Sequence, residues 1–201
     1  MKKIIVTIYL SLLVVAAMAQ NSLTKEEKSK ALDYMKETQK EVMDAVKGLS
    51  SEQLNYKPSE EAWSIAETME HIAISENKIF GIVHMTLEED PDPSKRSEVA
   101  MSDDQIMQII ESREKKVKTR PEFEPNTQFG GFDGSVAEFS KRRKENMQFV
   151  KMTEEDLRNR YFDLPFGTVD AYQVILFMAS HSKRHADQIK EIKSSEGFPK
   201  S

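Results

Sequence analysis

Helical periodicity is the feature of this chain that most constrains its fold. From about residue 24 onward, apolar side chains recur every three or four positions, which is the spacing of one face of an α-helix. Val, Ile and aromatic residues do not alternate with polar residues over the length of a strand. We therefore expect an all-α fold in which successive amphipathic helices each bury one face.

Signals for helix ends divide this region into four or five helices. The predicted N-terminal caps are Thr24, Ser64, Ser102, Ser135 and Thr168, most of them followed by Glu or Gln three positions later. The third helix should carry Ile106 and Val117 on its buried stripe and stop before Pro121, and the last should reach about Ile192. Such helices pack most simply as an up-down four-helix bundle with an extra short helix or turn.

The first nineteen residues are predicted to be a secretory signal peptide. Lys2 and Lys3 precede a mostly apolar run from Ile4 to Val15, and Ala17-Met18-Ala19 offers a cleavage site of small residues. The run is short for a bilayer span, although an uncleaved N-terminal anchor helix is the alternative.

These features predict three parts of the chain. Residues 1–19 form the signal peptide, residues 20–193 the helical bundle, and residues 194–201 a flexible tail. Cleavage near Ala19 would place the protein outside the cytoplasm, in the periplasm or secreted. No segment after the leader is long and apolar enough to span a membrane.

Charge and cysteine content exclude several functions. The chain carries a formal net charge of −5, and cleavage would remove the positive Lys2 and Lys3. A nucleic-acid-binding protein would need a basic stripe, which an acidic chain of this kind lacks. The absence of cysteine excludes a thiolate nucleophile and a Cys-ligated zinc, so any metal must bind histidine, carboxylate or water.

Two of the four histidines form a pair with the spacing of metal ligands. His181 and His185 stand four residues apart, so on a helix both imidazoles share one face, and that face is the apolar stripe of the last helix. They either bind a metal or are core histidines bonded to backbone or carboxylate groups. Ser182, Lys183 and Arg184 separate them, so the glutamate of the HExxH zinc-protease motif is absent.

His71 is the third candidate ligand, but its position on the helix is less favourable. It lies roughly 120° from the centre of the apolar stripe, on a flank beside Glu67. Periodicity alone therefore predicts a surface histidine, and a ligand role requires a neighbouring helix to cover that flank. His84 has no partner by spacing and is expected to be structural or exposed.

Three polar residues are candidates to support the ligands: Glu67, Glu76 and Gln188. Glu76 falls on the apolar stripe, where a carboxylate needs a cation, a metal or a hydrogen-bond donor. Gln188 follows His185 by almost one turn and either orients a ligand or substrate or makes an ordinary interhelix hydrogen bond. No general base is identifiable, because Glu67, Glu70, Glu76 and Asp187 each have a solvated-face or capping explanation.

Two segments of the chain resemble the DinB-like family, which is grouped with the YfiT-type proteins. The first contains LNYKP at 54–58 followed by AWSIAETMEHI at 62–72. The second contains LPFGTV at 164–169 followed by HSKRHADQI at 181–189. Order, spacing and flanking residues agree, and the resemblance spans essentially the whole chain after the predicted leader.

The resemblance implies a four-helix bundle, commonly a homodimer, with a divalent metal that is often nickel or zinc. His71 corresponds to the ligand on the second helix of the family, and His181 and His185 correspond to its HxxxH pair. Three neutral histidines would leave the metal its full positive charge, so that a bound water is acidified towards neutrality.

Such a site suits hydrolysis or metal-activated thiol chemistry on a small-molecule substrate. Some relatives resemble thiol-dependent transferases and isomerases that use a small cytosolic thiol, and the predicted leader disfavours that chemistry here. We therefore expect a metal-dependent hydrolase that acts outside the cytoplasm through metal-bound water. The alternatives are a non-enzymatic, metal-stabilised binding or stress protein and a thiol-dependent transferase.

Overall fold

The computed structural model describes residues 22–114 and 117–200, and the predicted signal peptide lies outside these ranges. The helices are α1 (Lys25–Val46), α2 (Ser51–Asn55), α3 (Ile65–Thr86), α4 (Asp103–Glu111), α5 (Phe132–Met152) and α6 (Ala171–Lys193). An antiparallel hairpin of β1 (Tyr161–Leu164) and β2 (Gly167–Asp170) precedes α6. Short 3-10 helices span Pro93–Glu98, Pro121–Phe123 and Leu157–Asn159.

Helices α1, α3, α5 and α6 form the four-helix bundle that the periodicity predicts. Helix α6 packs against α1, α3 and α4, and it supplies much of the core. Tyr172 donates a hydrogen bond to the Glu27 carbonyl at one end of the bundle, and Lys193 donates to the Ala45 carbonyl at the other. Because both bonds join α1 to α6, these two helices run parallel.

Helices α3 and α5 also run parallel to each other, in the direction opposite to α1. Asn77 bonds to Glu138 and Phe80 contacts Phe149, so α3 and α5 advance together along the chain. The four helices therefore run up, down, down and up. The alternation of a simple up-down bundle is broken between α3 and α5 because α5 begins at the end of the bundle where α3 begins.

The capping signals place three helix starts correctly. Thr24, Ser64 and Ser102 each close a capping box at the start of α1, α3 and α4. The prediction for α5 was wrong, because this helix begins at Phe132 and the Ser135 hydroxyl donates to the Gly131 carbonyl within its first turn. The prediction for α6 was also wrong: Asp170 is its cap, while Thr168 belongs to β2.

Two further sequence predictions differ from the structure. The third predicted helix corresponds to α4, which ends at Glu111, and Val117 is 79% exposed instead of lying on a buried stripe. The hairpin was not predicted, because two strands of four residues are too short to show an alternating pattern. Within the described ranges, no helix is long and apolar enough to cross a membrane.

The segment after α6, predicted to be a flexible tail, contacts the bundle. Tyr56 donates a hydrogen bond to the Glu196 carbonyl at 2.7 Å, and Gln53 donates to the Pro199 carbonyl at 3.0 Å. The ring of Phe198 packs edge-on against Tyr56, with 5.5 Å between centroids. These contacts hold residues 196–199 against α2 and the residue that follows it.

Candidate metal site

Three imidazoles converge between α3 and α6. The Nε2 atom of His71 lies 3.1 Å from that of His185 and 3.4 Å from that of His181. The Nε2 atoms of His181 and His185 are 3.2 Å apart. Among the described residues, these three histidines form a group of potential ligands whose nitrogens lie close enough together to hold one metal ion.

His71 is buried, not at the surface as periodicity alone predicted. Only 3% of its surface is exposed, because α6 and two parts of the chain outside the bundle helices cover its flank. The Trp63 ring lies 4.8 Å from the imidazole, and the turn that contains Phe123 lies over its other ring nitrogen. This cover comes partly from a loop fifty-two residues later in the chain, which the helical pattern of α3 does not encode.

Hydrogen bonds fix which nitrogen of two imidazoles carries the proton. The Nδ1 atom of His71 lies 2.8 Å from the Phe123 carbonyl, which only accepts, so Nδ1 is the donor. The Nδ1 atom of His185 likewise lies 2.8 Å from Oε1 of Gln188. In the neutral tautomers the Nε2 atoms of His71 and His185 are therefore unprotonated and present lone pairs to each other at 3.1 Å.

The environment keeps these imidazoles neutral. Burial lowers the pKa of His71, and the bond to the Phe123 carbonyl offsets part of that effect. Burial lowers the pKa of His181 and His185 well below the usual value, and the neighbouring imidazoles and Arg184 add to the shift. Neutral imidazole is the form that binds metals.

The three nitrogens fit a divalent ion. Three histidine nitrogens at about 2.0–2.1 Å from one ion, in tetrahedral directions, lie about 3.3 Å from each other. The observed separations of 3.1, 3.2 and 3.4 Å bracket this value. The cluster has three members in the ranges that the structure describes, so a tetrahedral ion held by them would keep one position for a ligand from solution.

Gln188 is the predicted supporting residue that contacts a ligand. Metal-binding histidines usually donate their second N–H to an acceptor that sets the ring orientation, and Gln188 does this for His185. The Phe123 carbonyl plays the same part for His71. The sequence carried no signal for Phe123, because the group that acts is a backbone carbonyl.

The carboxylates near the histidines bind other groups. Glu76, which the sequence suggested as a supporting residue, instead forms a buried ion pair with Arg143, with both N–O distances 2.7 Å. Glu67 closes the capping box of α3 and bonds to Lys57. Glu70 accepts the Gln128 backbone N–H, and Asp187 pairs with lysines on its own helix. None of these contacts identifies a general base.

Aromatic rings border the cluster from the segment before α3 and from α6. Trp63 contacts His71, and Phe177 lies one turn before His181 with 6.2 Å between ring centroids. Phe166, at the turn of the hairpin, packs edge-on against Phe177. His84 lies apart from the site, exposed at the end of α3 against Phe80 and Phe149.

The fold and the cluster together describe a helical bundle with three converging histidines, and comparison with known proteins identifies its family. The sequence profile of the DinB superfamily matches residues 34–189, which include all three histidines. The chain therefore belongs to the DinB superfamily.

Two relatives from Bacillus subtilis extend this assignment. The uncharacterized protein YuaE of strain 168 is 29% identical over 163 residues, which cover 81% of this chain and 96% of YuaE. The solved structure of YfiT, described as a probable metal-dependent hydrolase with an unusual four-helix bundle topology, matches with a TM-score of 0.57 and 18% identity. That match covers 90% of this chain and 93% of YfiT and shows a shared fold.

Replacing Gln188 by leucine should weaken metal binding by about 10- to 100-fold, because His185 loses the acceptor that orients its ring. A competition titration with a chromophoric zinc chelator measures the effect. Gln188→Glu is the matched control, since a carboxylate also accepts the Nδ1–H bond and should retain tight binding. A leucine variant with wild-type affinity would show that this hydrogen bond has no role in metal binding.

Proposed function

We propose that this protein is a metal-dependent hydrolase that acts outside the cytoplasm, with a divalent metal, nickel or zinc, bound by His71, His181 and His185. The observation that carries the proposal is the convergence of the three Nε2 atoms at 3.1–3.4 Å. The Nε2 atoms of His71 and His185 present lone pairs to each other at 3.1 Å, an arrangement that a cation bound between them stabilises.

His71, His181 and His185 would hold a divalent ion through three neutral nitrogens, and such an ion would supply Lewis-acid chemistry towards a carbonyl or a water molecule. The protein's own groups prepare the site for that chemistry. The Phe123 carbonyl and Gln188 hold two rings with Nε2 towards the cluster. Imidazole ligands suit both zinc and nickel, so the donor set does not select between them.

Three observations favour a hydrolase over the alternatives. The cluster of three leaves a coordination direction for a substrate, whereas a metal that only stabilises structure usually has four protein ligands. YfiT, which shares the fold, is described as a probable metal-dependent hydrolase. The predicted signal peptide would separate this protein from the cytosolic thiols that a transferase needs.

Hydrolysis of p-nitrophenyl acetate tests the activity. The zinc- or nickel-loaded protein should release p-nitrophenolate about a hundredfold or more faster than the chelator-treated protein. His185→Ala should match the chelated protein, while His84→Ala, outside the cluster, should retain the wild-type rate. Turnover that is unchanged by chelation, or that appears only after a small thiol is added, would contradict the proposed hydrolase.

Export and assembly form part of the same proposal. Protein recovered from outside the cytoplasm should begin at Gln20 on N-terminal sequencing, as cleavage after Ala19 requires. Recovery of an intact N-terminus in the cytoplasmic fraction would contradict export. The homodimer that the family resemblance implies stays a prediction. Analytical ultracentrifugation of the processed protein would test it by measuring the molecular mass in solution.

A further inference from the structure

The Ser75 hydroxyl stands out among the buried polar groups of the described chain. Ser75 is 1% exposed, and its Oγ atom has no hydrogen-bond partner. Other buried hydroxyls on these helices bond back to the preceding turn, as Thr68 does to the Ser64 carbonyl and Ser135 to the Gly131 carbonyl. Ser75 makes no such bond to its own helix, so its hydroxyl is available to another group.

Ser75 lies one turn after His71 on the same flank of α3. Side chains four residues apart on a helix have Cβ atoms about 5–6 Å from each other. Around the helix axis Ser75 lies between His71 and Ile72, and α3 is one of the helices that pack against α6. The Ser75 and His71 side chains therefore leave α3 one turn apart on the same side of the helix.

The register between α3 and α6 places Ser75 level with His181. The Asn146 amide donates to both Glu76, the next residue of α3, and Met178 of α6. The Arg143 guanidinium likewise donates to both Glu76 and Ser182. Met178 and Ser182 are the residues three before and one after His181. His181 is the least buried of the three histidines, so this is the side of the cluster nearest to solvent.

We propose that the Ser75 hydroxyl donates a hydrogen bond to an oxygen atom of an acyl or carboxylate ligand that binds beside the three histidines. The inference rests on the proposed metal site, because the metal is what brings an oxygen ligand to that position. A buried hydroxyl without a partner destabilises the folded chain. A ligand oxygen supplies the missing partner and relieves that cost.

Binding of acetohydroxamate to zinc-loaded protein tests this role. The variant is Ser75→Ala, and the control is Thr68→Val, which removes a buried hydroxyl that already has a partner on the same helix. Zinc content is measured for each protein before the titration, and the dissociation constant is measured by calorimetry. The melting temperature of each chelated protein reports whether the substitution disturbs the fold.

We expect Ser75→Ala to bind a full equivalent of zinc and to bind acetohydroxamate about 10- to 100-fold more weakly than wild type, the range for a hydrogen bond to a charged acceptor. Thr68→Val should bind acetohydroxamate like wild type. The chelated Ser75→Ala protein should melt at or above the wild-type temperature, since no hydrogen bond is lost.

Other outcomes overturn the inference in distinguishable ways. Equal acetohydroxamate affinity in wild type and Ser75→Ala, with full zinc in both, would exclude Ser75 as a ligand-binding group and leave the metal site intact. A large fall in the melting temperature of chelated Ser75→Ala would indicate a structural partner for the hydroxyl. Wild-type protein that binds no zinc would contradict the proposed function and this inference together.

Discussion

Replacing Arg143 by methionine should lower the free energy of unfolding by about 3–5 kcal/mol, because it leaves the Glu76 carboxylate buried without a counterion. Both side chains of this ion pair are completely buried. The Arg143 guanidinium makes two bonds to Glu76, and it also donates to the Met35 carbonyl, Thr38 and Ser182 at 2.8 Å. One side chain therefore joins all four helices of the bundle.

Chemical denaturation of the chelated protein measures this effect. For a domain of this size, the expected change corresponds to a fall in melting temperature of about 10 °C. Arg142→Met is the matched control: Arg142 is the next residue of α5 but pairs with Glu138 and Glu145 at the surface, so its loss should change stability little.

A double variant separates the cost of an unpaired charge from the net contribution of the pair. Replacing both partners, as in Arg143→Met with Glu76→Leu, should recover much of the stability that the single variant loses, since neither charge is then buried alone. If Arg143→Met alone unfolds no more easily than Arg142→Met, Glu76 is not left as an unpaired buried charge. The ion-pair account of this core would then be wrong.

The helical class of the fold could be predicted from the sequence because its signals are local. A capping box involves residues three apart, and amphipathic spacing repeats every turn, so Thr24, Ser64 and Ser102 mark the starts of α1, α3 and α4 without knowledge of the rest of the chain. The same holds for His181 and His185, whose common face follows from helix geometry alone.

The features that escaped prediction depend on groups far apart in the chain. His71 is buried because Phe123 and Trp63 cover a flank that looks exposed on an isolated helix. Glu76 could be recognised as a carboxylate that needs a partner, but its partner Arg143 lies on a different helix. Helix direction was also not encoded locally, since the connection of residues 87–131 decides that α5 runs parallel to α3.

Family resemblance and physical pattern therefore contributed different parts of the candidate site. Helix geometry predicted that His181 and His185 share one face. The family resemblance predicted His71 as a ligand, although the periodicity of its own helix placed it at the surface. The structure reconciles the two, because the flank that periodicity assigned to solvent is the one that faces α6. The periodicity of α3 gives the wrong exposure for this flank because the pattern of one helix carries no information about the neighbours that cover it.

His181→Ala should reduce the bound metal of the purified protein from about one equivalent to near zero. Two remaining imidazoles bind a divalent ion much more weakly than three, so the metal should be lost during gel filtration. His181 is the best position for this test, because it retains some exposure whereas His71 and His185 are buried, so its replacement should disturb packing least. His84→Ala, which removes a histidine outside the cluster, should retain the full metal content.

Chelation should distinguish a metal site from a cluster of core histidines. At a metal concentration 100 to 1,000 times the dissociation constant, bound metal stabilises the folded state by about 3–4 kcal/mol, and its removal should lower the melting temperature of wild type by about 10 °C. The His181→Ala protein should melt at the same temperature with and without chelator. Equal metal content in wild type and His181→Ala would contradict the assignment of His181 as a metal ligand. Melting of wild type that does not respond to chelator would show instead that the three imidazoles pack as neutral core residues.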